Sequence, residues 1–170
     1  PLYSEFFWAG ENQKAALGGM RKNILANNHG VILLAGEEGQ GKTTLIDILV
    51  GRIQSELNIG RITVESDEKI SFLNAICKSF GLNIIATSKV DFILSFTNHL
   101  TQLLKNTKKK SLLIIENGKH LTDELLEDLA QVANLEEKGR KLVTILLVGD
   151  RSLVKKIEES PNPTLRESLL

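Results

Sequence analysis

Gly36-Glu37-Glu38-Gly39-Gln40-Gly41-Lys42-Thr43, with Thr44 directly behind it, fits the pattern G-x-x-x-x-G-K-[ST]. Glycines at these spacings let the backbone curl tightly, so that successive N–H groups point inward at a phosphate chain. Lys42 is expected to reach the β- and γ-phosphates of a nucleotide, and the Thr43 hydroxyl to hold Mg²⁺. The helix that follows adds the positive end of its dipole. A glycine-rich turn that binds nothing would also show this composition, but the flanks argue against it. Val31-Ile32-Leu33-Leu34-Ala35 ahead of the loop is a continuous apolar run, as a buried parallel strand requires. Behind it, Thr44-Leu45-Ile46-Asp47-Ile48-Leu49-Val50 carries apolar residues at helical spacing, and the helix is expected to run to about Leu57.

The rest of the chain repeats the alternation. A helix is expected from Asn12 to Leu25, and Asn27-Asn28-His29-Gly30 is a stop-and-turn signal. After a Gly60 turn, Arg61–Glu65 is a short strand, and Ser66 is placed as the cap of a helix ended by Gly81. Ser88 to Lys105 reads as a long amphipathic helix with Phe92, Phe96 and Leu100 inward. Ser111-Leu112-Leu113-Ile114-Ile115-Glu116 is a second buried strand ending in an acid. Thr122 caps a helix expected to reach Lys138, where Gly139 stops it. Leu142–Val148 is the last strong strand, closed by Gly149-Asp150, and a short helix covers Ser152 to Glu158. Strands alternating with helices mean a three-layer α/β sandwich around a mostly parallel sheet. No internal repeat or linker interrupts it. Residues 1–170 read as a single domain, with an N-terminal aromatic segment and helix over 1–26 and the nucleotide-binding core over 31–158.

A chain of 170 residues is enough for one sizeable core, and 42% hydrophobic with 25% charged residues is ordinary soluble usage. Lys plus Arg and Asp plus Glu both total 21, so the formal charge is zero and the basic excess of a nucleic-acid binder is missing. Lys108-Lys109-Lys110 reads as a solvated turn. Cys77 is the single cysteine and falls in an apolar helical pattern, which excludes an intrachain disulfide and fits a reducing compartment. His29, His99 and His120 have no zinc spacing. No apolar run reaches a membrane span and no signal peptide opens the chain, so the expected location is cytoplasmic. Pro1 stands where a Met would, the pattern of an excised piece that leaves room for membrane segments outside it. Leu2–Trp8 holds four of the eight aromatic residues and is expected to pack on the core.

A phosphate-loop protein needs an acid at the end of a neighbouring strand to position Mg²⁺, and hydrolysis needs a group that orients or deprotonates water. Only Leu112–Asn117 has that form. Glu116 stands in the magnesium acid's place and Asn117 in that of the usual catalytic glutamate. An amide cannot accept the proton, and loss of a general base typically costs about 10²–10⁴-fold.

These motifs together resemble the AAA-type P-loop ATPase domain of the general secretion pathway protein A family, which includes ATPases of secretion and pilus assembly. The resemblance covers almost the whole chain. It rests on Leu34-Ala35-Gly36-Glu37 running into Gly41-Lys42-Thr43-Thr44-Leu45, then on Leu112–Glu116, Leu121-Thr122 and Leu125–Leu129. It ends in Asn134-Leu135-Glu136 and Ile145–Gly149. It implies Mg²⁺ and ATP as ligands, self-association, and partners among envelope-assembly proteins. Three departures stand out. The family's Asp-Glu-Ala-Gln is here Glu116-Asn117-Gly118-Lys119, its sensor-like polar Gln is Asp150, and its trans-acting arginine aligns with Ser168, two residues after Arg166. The chain also stops where such domains continue into a final strand and helical lid, so a core with the lid absent is expected. The sequence therefore favours a nucleotide-binding domain with slow or absent hydrolysis. An active secretion or pilus-biogenesis motor is the alternative. A DNA-handling ATPase of the transposition type is a further one, disfavoured by the neutral charge. GTP is disfavoured because no Asn/Thr-Lys-x-Asp motif occurs.

Overall fold

The computed structural model describes residues 5–7, 13–26, 30–36, 41–161 and 166. In chain order the strands are β1 (Glu5–Phe7), β2 (Val31–Ala35), β3 (Leu57–Thr63), β4 (Lys110–Glu116), β5 (Glu136–Glu137), β6 (Arg140–Lys141) and β7 (Val143–Gly149). The helices are α1 (Gln13–Ala26), α2 (Lys42–Ile53), α3 (Lys69–Ser79), α4 (Lys89–Thr107), α5 (Asp123–Ala133) and α6 (Arg151–Glu158), with a 3₁₀ turn at Gly118–His120. Five strands form one parallel sheet in the order β1-β2-β7-β4-β3. This is the expected α/β architecture. β2, β4 and β7 are covered on both faces, which is why they read as unbroken apolar runs.

Alternation within each strand divides the core in two. Ile32, Leu34, Leu112, Ile114 and Leu146 pack with Leu45, Leu49 and Ile53 of α2 and Met20 and Ile24 of α1. Val31, Leu33, Leu113, Ile115, Ile145 and Leu147 face the layer built from α3 to α6. Phe92 and Phe96 stack there at 5.2 Å, and Cys77 is fully buried beside them. Burial, then the nearby Asp91 charge, pushes the Cys77 thiol up to about 11, as suits an inert core residue.

Four boundaries differ from the sequence reading. The helix expected to reach Leu57 ends at Ile53, and Leu57 opens β3 instead. Gly60 sits inside that strand rather than in a turn, because a Cβ there would stand 2.5 Å from the Phe80 ring. The strand therefore does not start at Arg61. Ser66 is not the cap of α3: the Glu68 carboxylate accepts from the Ile70 and Ser71 amides, while Ser66 Oγ accepts from Glu68 N. Lastly, α5 stops at Ala133, and what was read as its final turn is the hairpin β5–β6. Its two-residue turn, Lys138 (φ 53°) and Gly139 (φ 78°), has the positive dihedrals such hairpins favour. The aromatic N-terminus contributes β1, whose Glu5–Phe7 pairs with Leu33–Ala35 at the sheet edge. Trp8 lies outside the described residues. Among the described residues no helix is long and apolar enough to cross a membrane.

Candidate functional site

Parallel strands end at the same edge of a sheet, so β2, β4 and β7 deliver their following residues to one place. Gly36 leaves β2 with its N–H donating to the Gly149 carbonyl at 3.1 Å, which fixes the start of the glycine-rich loop against the end of β7. Glu37, Glu38, Gly39 and Gln40 lie outside the described residues. The chain is described again at Gly41, whose φ of 78° and ψ of 26° are left-handed and favour glycine. Gly41 O accepts from Leu45 N at 3.0 Å, so the first turn of α2 closes here and leaves its first N–H groups without partners inside the helix. The Lys42 ammonium folds back and donates to Gly36 O at 2.6 Å, across the mouth of the loop.

A cavity of about 800 Å³ opens over this edge. It is lined by Gly41, Lys42 and Thr43 at the start of α2, by Glu116 and Asn117 at the end of β4, and by Gly149 and Asp150 at the end of β7. Arg61, Thr63 and Lys119 complete the wall. The structure thus gathers Gly41, Lys42, Thr43, Glu116, Asn117 and Asp150, which the sequence separates by as many as 109 positions. Thr44 is exposed on α2, and Ser168 lies outside the described residues. Arg166 is exposed and donates to the Ser160 carbonyl.

Glu116 is nearly buried, its side chain 11% exposed, and Arg61 Nε donates to its Oε1. Arg61 Nη1 also donates to Asp47 Oδ1 at 2.6 Å. The Glu116 hydrogen bond and then Asp47 hold the guanidinium protonated, raising its pKa against partial burial. Sequence reading did not single out Arg61. The signal available was a lone cation on the Leu57–Ile59–Arg61–Thr63 face of β3, whose first two residues pack on the apolar core. Asn117 has φ 64° and ψ 40°, a conformation Asn tolerates better than most residues, and its Nδ2 donates to the Val64 carbonyl at 3.2 Å. Its amide therefore braces the turn after β4 against the strand-to-helix connection beyond β3.

Asp150 caps α6, its Oδ1 accepting from the Ser152 amide at 2.9 Å and from the Ser152 hydroxyl. These bonds from Ser152, aided last by the positive charge of Lys42, hold the carboxyl below the usual range. The cap gives a first prediction. Asp150→Ala should destabilise the fold by about 1 kcal/mol at pH 7. A carboxyl depressed in the folded state stabilises above its unfolded pKa, and that stabilisation is lost as pH falls through the folded value. The difference in urea-unfolding free energy between wild type and variant should hold from pH 7 to about 5 and shrink below about 4. A difference undiminished at pH 3 would assign the effect to packing.

Hard oxygen donors, the Thr43 hydroxyl and the Glu116 carboxylate, line the same cavity and suit Mg²⁺ in kind. Among the described residues no group of three or more His, Cys, Asp or Glu is placed to hold a metal ion.

Known proteins share both sequence and shape with this chain. The family model for the AAA domain matches residues 25–157. General secretion pathway protein A of Aeromonas hydrophila is 30% identical over 144 residues, 84% of this chain, which spans 26% of that relative's length. Cdc6p of Pyrobaculum aerophilum superposes with a TM-score of 0.70 at 15% identity, covering 95% of this chain and 44% of that one. The ORC2 protein of Aeropyrum pernix, solved as ADPNP and ADP complexes, gives 0.68 at 17% identity over 94% of this chain and 45% of its own. Drosophila ORC bound to DNA gives 0.62 at 11% identity, with 93% and 86% covered. At such identities these structures speak for the fold alone. The family match, the sequence relation and the parallel sheet together establish that the chain belongs to the AAA domain family, as an AAA-type ATPase domain related to general secretion pathway protein A.

Proposed function

We propose that residues 31–158 form a Mg-ATP-binding core that hydrolyses its nucleotide slowly or not at all and acts in an envelope-associated assembly. The observation that carries the reading is the single cavity shared by Lys42, Thr43, Glu116, Asn117 and Asp150. Lys42, which donates to Gly36 O, lines the cavity and would there bind β- and γ-phosphate oxygens. Thr43 and Glu116 would hold Mg²⁺. When bound, that ion would supply positive charge that offsets the phosphates' own.

Slow turnover follows from the groups around the attacking water. Asn117 spends an N–H on Val64 O, and its remaining amide oxygen can orient a water but cannot take its proton. Asp150 is held ionised by Ser152, which makes it a weak base, and its charge opposes that of a γ-phosphate. The envelope context is carried over from the sequence relation to general secretion pathway protein A. Nucleotide then acts by favouring one conformation offered to a partner, which needs differential affinity but no chemistry.

Calorimetric titration of ATP with Mg²⁺, followed by a phosphate-release assay on the same sample, tests this. Binding is expected with release about 10²–10⁴-fold below that of an AAA ATPase with an intact glutamate base. Release at that enzyme's rate would return the active-motor reading.

A further inference from the structure

The carboxylate placed to hold magnesium already holds a cation that belongs to the chain. β3 and β4 are adjacent and parallel, with Arg61 opposite Ile114 and Thr63 opposite Glu116. Arg61 thus lies diagonally beside Glu116 on the sheet face that α2 covers. Its Nε donates to Glu116 Oε1 and its Nη1 to Asp47 Oδ1 at 2.6 Å. Asp47 follows Thr43 by four residues on α2, one helical turn on. The guanidinium is therefore clamped at two points between the helix that carries Thr43 and the strand that ends in Glu116, and it lines the cavity with both. An almost buried carboxylate needs a cation, and Arg61 meets that need without a metal.

We propose that Arg61 is a tethered cation that competes with Mg²⁺ for Glu116, so that ATP binding by this domain depends only weakly on the metal. This rests on the reading of the cavity as a nucleotide site. A divalent ion beside Thr43 meets a guanidinium on the acid it needs, and the pair it approaches carries no net charge. The same guanidinium adds positive charge to the cavity wall, which supports triphosphate when no metal is present. Freeing Glu116 requires breaking the bond that Arg61 makes to it, while Asp47 restrains where the guanidinium can go.

The readout is a ratio of affinities: the ATP dissociation constant in EDTA divided by that in Mg²⁺, by calorimetry on the intact chain. For the wild type the expected ratio is about 3 or less. Arg61→Gln, neutral and of similar reach, should raise it to about 10 or more by weakening binding in EDTA and strengthening it in Mg²⁺. Glu116→Gln placed on Arg61→Gln should bring the ratio back toward the wild-type value. Asp47→Asn, at a side chain 60% exposed and so tolerant of change, leaves the guanidinium to Glu116 alone and should hold the ratio at or below the wild-type value. It keeps the question open to test if Arg61→Gln does not fold. ATP binding with a ratio above about 10 in wild type, one unmoved by Arg61→Gln, or one raised by Asp47→Asn would leave Arg61 as a structural brace and overturn the inference alone. No ATP binding in either buffer would overturn the nucleotide reading, and this inference with it.

Discussion

Lys42→Ala is expected to weaken ATP binding by about 100-fold or more, with little loss of fold stability. Two decades of affinity correspond to about 2.7 kcal/mol, the size of one or two charge-assisted hydrogen bonds to phosphate. The ammonium now donates to Gly36 O at 2.6 Å, so the side chain also ties the entrance of the loop to the first turn of α2. That internal bond is part-buried and replaceable by water, which keeps its net worth near 1 kcal/mol or below. The two roles separate by measurement: calorimetry reads the phosphate contacts and urea unfolding reads the clamp. Lys42→Arg keeps the charge but puts a planar fork where a point charge fits the curled backbone, so it should recover only part of the affinity. A dissociation constant within threefold of wild type for Lys42→Ala would mean that nucleotide, if bound, sits elsewhere.

What could be read from sequence here was what depends on local pattern. β2, β4 and β7 are unbroken apolar runs because both faces are covered, so composition alone marked them. Lys42, Thr43, Glu116 and Asn117 followed from position relative to those strands, and they do meet in one cavity. Misreadings arose where the deciding contact is distant in sequence. Gly60 looked like a turn because a glycine needed for the Phe80 ring cannot be told from one needed for a positive φ until the helix has docked. Arg61 was invisible as a site residue because its partners are 14 and 55 positions away. Gly139 reads as a helix stop, but α5 ends six residues earlier at Ala133, and Gly139 instead supplies a positive φ to the turn of a hairpin whose opposed charges resemble a helix surface. Ser66 lost the cap to Glu68 because a longer carboxylate two residues later can reach two amides at once.

Lys89→Ala should destabilise the domain by about 2 kcal/mol, or roughly 4–8 °C in Tm for a chain of this size. Asp128 on α5 is 2% exposed, and its Oδ1 meets Lys89 Nζ at 2.8 Å while Lys69 Nζ stands 3.9 Å away. Among the described residues its Oδ2 has no hydrogen-bond partner. Lys69 and Lys89 are the first residues of α3 and α4, where a positive charge opposes the helix dipole. Their placement makes sense through Asp128, which draws the starts of two helices onto the side of a third. Breaking a buried pair typically costs about 3–5 kcal/mol because it strands a charge. Here Lys89 is 32% exposed and Lys69 remains to answer part of the charge, which sets the lower figure. Lys69→Ala should do much less, since its closer partner is the exposed Glu124 at 3.0 Å. The decisive variant is Lys89→Ala with Asp128→Leu, which removes the stranded charge while leaving the lysine stem truncated. If the cost lies in the stranded carboxylate, the double variant should return to within about 1 kcal/mol of wild type in a urea-unfolding cycle. If it is as unstable as Lys89→Ala, the loss lies instead in the lysine stem's packing across α4 and α5, and the carboxylate is a bystander.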